Sequence, residues 1–140
     1  FIQGKDTAAL KDFSRVIFIN DNIAQSYSYR GFILNKQFQD SLAEIDERKA
    51  LSLDPNDTLA LFTLGNILME DDDYKNAVLY YDKALKVNPN FGVVFENRGI
   101  SYYNLGYYRQ AAADFEAAMR YNPELTTKLK PLYQDAKSRH

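Results

Sequence analysis

The chain of 140 residues has no cysteine and no tryptophan, and its one histidine is the last residue, His140. Without cysteine there can be no disulfide, no thiol nucleophile and no thiolate metal site. The compartment stays open between reducing and oxidising, with the cytoplasm favoured. Proline occurs four times and glycine six, so the places where they fall carry meaning. An excess of one charge is also lacking. The net charge is −2, which gives no reason to expect nucleic acid or an anionic membrane surface as partner. No apolar run approaches the roughly 18 residues that a membrane-spanning helix needs. No secretory leader is visible, but the first residue is Phe1 rather than Met. The chain is therefore expected to be a trimmed or processed piece whose targeting information is lost. What is abundant is apolar residue, 46% of the chain, enough for a core in one domain.

The inventory for catalysis is thin. The chain has no HExxH, no GxSxG and no phosphate-binding glycine loop. His140 reads as a frayed terminus or tag remnant. Asp71, Asp72 and Asp73 form one acidic cluster. It could hold a hard cation, but no further ligands follow at loop spacing, and a solvated turn that caps the next helix is the better reading. No metal, no cofactor and no enzymatic activity are expected. The eleven tyrosines come without a basic stripe, which argues for packing rather than a platform for nucleobases.

Internal repetition organises the chain. Pro55, Pro89 and Pro123 recur every 34 residues, and so do Gly31, Gly65 and Gly99, Ala43, Ala77 and Ala111, and Ala50, Ala84 and Ala118. Three full repeats follow, 24–57, 58–91 and 92–125. Residues 1–23 read as the second half of a truncated repeat, and 126–140 as a closing helix. All belong to one domain, 1–140.

Each repeat reads as two helices. In the third, Phe95, Arg98, Gly99, Tyr102 and Tyr103 fall at helical spacing, Gly106 supplies a turn, and Tyr108, Ala111, Ala112, Phe115, Ala118 and Met119 form a second stripe. Proline has no backbone N–H and disfavours a helical residue before it, so Asp54-Pro55, Asn88-Pro89 and Asn122-Pro123 end the second helices. A following Asn, Asp or Thr can cap the next helix. Gly99 and Ala111 are small enough for the two helices to cross closely. Stacked pairs bury the face that a lone pair leaves bare.

One correlation runs through the columns. Arg30 and Arg98 precede the glycine, and each is followed 16 residues later by an aspartate, Asp46 and Asp114. The second repeat has Leu64 and Tyr80 there instead. Two ion pairs between the helices of a repeat, Arg30–Asp46 and Arg98–Asp114, are expected, since a partly buried pair needs both members. Solvated charges that merely coincide are the alternative. Asp12 is a possible competitor for Arg30.

The stretches LFTLGNILMEDDDYKNAVLYYDKALKVNP and FENRGISYYNLGYYRQAAADFEAAMRYNP resemble the tetratricopeptide repeat family. The resemblance implies an all-α, right-handed superhelical solenoid of antiparallel helix pairs. It also implies a protein-binding scaffold whose first helices line a concave groove. On that groove the helical spacing places Ser28, Phe32, Asn35, Phe62, Asn66, Met69, Glu96, Asn97, Ile100 and Tyr103. Asn66 and Asn97 could bond the backbone of an extended peptide, with Phe32, Phe62 and Ile100 as pockets. Packing between neighbouring first helices is the competing role for each. Chaperone-binding members of the family hold a terminal carboxylate with Lys, Arg and Asn. The comparable places here carry Ser28, Phe32, Thr63, Val93 and Asn97, so that clamp is not expected.

The first repeat departs from the pattern. Glu47 stands in the column of Tyr81 and Phe115. Its second helix is expected to be rotated or its turn shortened, with Phe38, Leu42 and Ile45 as the buried stripe. At the N-terminal end, the stripe of Ala9, Phe13 and Val16 would be partly bare unless Phe1 and Ile2 begin a partner helix. Further repeats upstream, or pairing with a second copy, are expected there. At the other end Leu129, Leu132 and Tyr133 should turn inward, and Pro131 should kink or split the helix. The functional expectation is a non-enzymatic module that binds a protein or peptide. The alternatives are a self-association module, or the non-catalytic region of a larger protein.

Overall fold

The computed structural model describes residues 2–139. Phe1 and His140 lie outside them, and with the Ile2 side chain so does the expected partner helix at the start. Among the described residues all regular structure is helical: α1 (Ile2–Ile19), α2 (Ala24–Lys36), α3 (Asp40–Leu53), α4 (Thr58–Glu70), α5 (Tyr74–Val87), α6 (Gly92–Leu105), α7 (Tyr108–Tyr121) and α8 (Thr126–Ser138), with a 3₁₀ turn at Pro123–Leu125. No described helix is long and apolar enough to cross a membrane. The fold is the all-α helix-pair class. The chain divides into two units, residues 1–67 and 68–140.

The repeat period is visible in the backbone. Asp54, Asn88 and Asn122 each close a second helix in or near the extended region, and their N–H groups bond Ala50, Ala84 and Ala118. That conformation is the one a following proline imposes. Between the helices of each pair, Phe38, Asp72 and Gly106 hold φ of 60°, 61° and 82°. The next N–H in each case reaches back five residues, Gln39 to Leu34, Asp73 to Leu68 and Tyr107 to Tyr102, at 2.9, 2.8 and 2.9 Å. This is the left-handed helix termination in which a positive φ lets the chain satisfy the last carbonyls. Glycine suits that place; phenylalanine is strained in it.

In the first unit α2 and α3 form a packed hairpin. Ala43, Glu47 and Ala50 face inward from α3 and are completely buried. The helix is therefore not rotated, and it has the same 14-residue length as α5. Phe38, Leu42 and Ile45 point outward instead, 87%, 52% and 65% exposed. The repeat register outweighs side-chain polarity: the neighbouring alanines hold α3 in phase, and Glu47 is carried inside with them. A Cβ on Gly31 would stand 2.7 Å from the Glu47 carboxyl, so the glycine leaves room for that side chain.

In the second unit Ala111, Phe115, Ala118, Leu129 and Ala136 make one core cluster, with Leu132 and Tyr133 packed against it. A Cβ on Gly99 would lie 2.8 Å from the Phe115 ring and 3.1 Å from Asp114 Cβ. Gly99 therefore leaves room for Phe115 and Asp114 of α7. α8 runs unbroken through Pro131, so the proline does not split it. Each fully buried large side chain of such a cluster contributes about 1.5–3 kcal/mol.

Candidate functional site

The arginine columns bring charges of neighbouring helices together. Arg30 donates from Nε and an Nη to the two oxygens of Asp46, both at 2.7 Å. Arg98 meets Asp114 in the same two-pronged way, at 2.9 and 2.8 Å. Each guanidinium also reaches back 16 residues. Arg98 bonds Asp82 at 2.8 Å, and Arg30 bonds Ser14 at 3.3 Å. Ser14, not Asp12, is therefore the further partner of Arg30, and it occupies the column of Asp82. The signal for Asp82 is a second interval of 16, on the N-terminal side. Both aspartates paired in the forward direction are buried. Burial opposes the charge of Arg98, but the bonds to Asp114 and Asp82 outweigh it and push its pKa up. Burial also lifts the Asp114 carboxyl above the usual range, with Arg98 pulling the other way. The hydrogen bond to Asp46 raises Arg30.

Among the described residues no cation enters the balance of charges acting on Glu47. Its two oxygens and the Thr63 hydroxyl are buried without an aligned hydrogen bond. Burial pushes its pKa up to about 9. Thr63 beside it works against the shift, and Asp57 and Asp46 add to it. At neutral pH this carboxyl keeps its proton.

The groove residues divide by environment. In the first unit Ser28, Asn35 and Phe62 are buried. The Ser28 hydroxyl donates to the Gln25 carbonyl at 3.1 Å, and the Asn35 amide to Asp40 at 3.0 Å. Ser28 and Asn35 thus brace their own helix and turn. Phe32 and Asn66 are half-buried, and the Lys36 ammonium sits 5.7 Å over the Phe32 ring. In the second unit Glu96 is buried and its Oε2 is ion-paired to Lys128 of α8 at 2.6 Å. The Tyr103 hydroxyl donates to Asp135 of α8, and its ring meets Tyr108 edge-on at 5.3 Å. α8 thus occupies these two side chains, which spacing within one helix does not foretell. Asn97 bonds the Tyr81 hydroxyl, which donates to the Met69 sulfur at 3.9 Å. Met69, Asn97 and Ile100 remain half-buried. In the acidic turn, Asp73 caps α5 by accepting from the Asn76 N–H at 3.4 Å.

Models of the tetratricopeptide repeat match residues 58–91 and 93–125. This chain is a tetratricopeptide repeat protein. Among curated relatives, the UDP-N-acetylglucosamine--peptide N-acetylglucosaminyltransferase of Giardia intestinalis is 28% identical over 83% of this chain and 8% of its own length. Serine/threonine-protein phosphatase 5 of Homo sapiens is 30% identical over 57% of this chain and 21% of its own. The chain therefore spans a small part of these relatives. In fold it is similar to the Arabidopsis OM64 TPR domain, with a TM-score of 0.76, 20% identity, and 84% of this chain and 96% of that one covered. MamA of Desulfovibrio magneticus RS-1 is similar with a TM-score of 0.74 at 18% identity, covering 98% of this chain and 82% of that one.

Proposed function

We propose that this chain, whose tetratricopeptide repeats imply a protein–protein interaction module, is a non-enzymatic scaffold in which the first helices of each unit bind an extended peptide or partner segment. The observation that carries the reading is the half-open mixture left on those helices. In the first unit α2 offers Phe32 beside an exposed Tyr29 and α4 offers Asn66; in the second unit, taken by itself, α6 offers Asn97 and Ile100. Aromatic and aliphatic surface supplies contact area, and amides supply backbone recognition. The buried set, Ser28, Asn35, Phe62 and Glu96, drops out of the proposed contact surface. Selection from a random peptide display library tests it. Phe32→Ala with Asn66→Ala should weaken the selected peptide about tenfold or more while leaving the helical melt cooperative. Unchanged affinity in that variant would refute the groove.

A second reading, self-association through the first unit, has its own observation. Phe38, Leu42 and Ile45 are outward-facing. In the other repeats the column of Phe38 holds Asp72 and Gly106, and the column of Leu42 holds Asn76 and Gln110. The column of Ile45 holds Leu79 and Ala113, so the first repeat is the one that makes all three places large and apolar. Phe18 is 92% exposed as well. Of these, Leu42 and Ile45 lie together over Leu10 and Leu34, and exposed apolar surface of this kind marks an interface. Light scattering that reports a monomer at every concentration would remove this reading.

A further inference from the structure

The second unit holds a cavity of about 540 Å³ where the start of α7 meets the end of α8. Tyr107, Tyr108, Ala112 and Ala136 form its walls. Arg109, Lys137 and Arg139 also line it, and among the described residues that do so none is acidic. In a chain whose net charge is −2 this is a local reversal of sign. None of the lining residues belongs to the groove discussed above.

The three cations are not equally engaged. Arg139 donates to Asp135 at 2.9 Å and lies 5.3 Å over the Tyr108 ring. Asp135 lies outside the lining and also accepts from the Tyr103 hydroxyl. Lys137 lies 5.3 Å over the Tyr133 ring, a contact that brings no opposite charge to it. Arg109 is exposed on the first turn of α7. The column of Tyr107 holds Asp73 one repeat earlier, where the carboxylate caps α5. At the start of α7 no side chain plays that part, and the mouth of the cavity lacks the anion its counterpart carries.

We propose that this cavity is a second docking site, for an acidic peptide segment that inserts one aromatic or aliphatic side chain. The apolar side chain fills the space between Tyr107, Tyr108 and Ala112, and flanking carboxylates meet Arg109 and Lys137. The walls alone would accept any apolar side chain. The cationic rim selects among them by sign, since like charges brought to the same place repel and opposite ones attract.

The probe is a fluorescein-labelled Glu-Glu-Phe-Glu-Glu peptide, titrated with the full chain and followed by anisotropy. Saturable binding that weakens as salt rises is expected. The double variant R109E/K137E should weaken it about tenfold or more. Both side chains are exposed, so the variant should melt as the parent does. The groove variant Phe32→Ala with Asn66→Ala should bind the probe as well as the parent, which separates this site from the groove whichever way the groove test falls. Arg109→Lys should retain most of the affinity. Four results overturn the proposal: no binding to the parent, equal binding of a Gln-Gln-Phe-Gln-Gln peptide, affinity indifferent to R109E/K137E in a variant that melts normally, or loss of binding in the groove variant.

Discussion

At the residue scale, two side chains sit where their chemistry opposes their surroundings, and each gives a measurable consequence. Glu47 replaces the aromatic of its column inside the α2–α3 hairpin, with its folded pKa at about 9 against an ordinary 4.5. Below about pH 4.5 both folded and unfolded chains hold this proton. Between those two values only the folded chain holds it, so stability falls as pH rises, by at most about 1.4 kcal/mol per pH unit, and the loss is complete above the folded value. Glu47→Gln keeps the shape and removes the ionisation. Thermal melts should show the parent less stable at pH 8 than at pH 5, and the variant with a visibly flatter dependence. Parallel curves would mean that the carboxyl ionises without consequence. Phe38 is the other case: φ of 60° and a ring almost wholly in solvent. The third repeat solves the same turn with Gly106. Phe38→Gly should stabilise the chain by about 1 kcal/mol, since the strain it relieves is of order 1–2 kcal/mol and glycine gives part of that back in unfolded-state entropy. A fall in urea midpoint would show that the ring makes an interaction worth more than the strain.

At the element scale, the helix pairs are held by what lies between them, and much of that is legible in the sequence. The prolines place the helix ends because a local steric rule decides them, and the arginine and aspartate columns meet because a constant separation of 16 residues within a repeat places them on facing helices. Helical spacing, by contrast, tells which residues share a face and not what that face meets. Ser28, Asn35, Phe62 and Glu96 fall on the expected groove but are buried. Phe38, Leu42 and Ile45 belong in the core by polarity alone, yet the alanines beside them set the phase of α3. The Arg98–Asp114 link between α6 and α7 gives the prediction at this scale. Arg98→Leu strands a buried Asp114 and should cost about 3 kcal/mol. Adding Asp114→Tyr recreates the pair that the second repeat carries as Leu64 and Tyr80, and should recover most of the loss. Urea midpoints of the two variants decide the matter. A double variant no more stable than the single one would mean that the columns are not coupled.

At the scale of the whole molecule, stacked repeats share stability between neighbours, and a terminal element matters through the face it covers. α8 covers such a face in the second unit. Leu129 and Ala136 enter the cluster of Ala111, Phe115 and Ala118, Lys128 neutralises Glu96, and Asp135 accepts from Tyr103. A chain ending at residue 125 would lose two fully buried side chains, Leu129 and Ala136, and open the face they cover. The expected cost is about 2–5 kcal/mol, the range found for emptied core sites. Urea unfolding followed by circular dichroism should show an earlier first transition. The slope of that transition should fall too, because less surface is left to expose. Loss confined to the second unit separates this from general unfolding: Glu47 lies in the first, and its pH dependence should survive the truncation. A truncated chain with the parent's midpoint would mean that α8 lies on the repeat core without stabilising it.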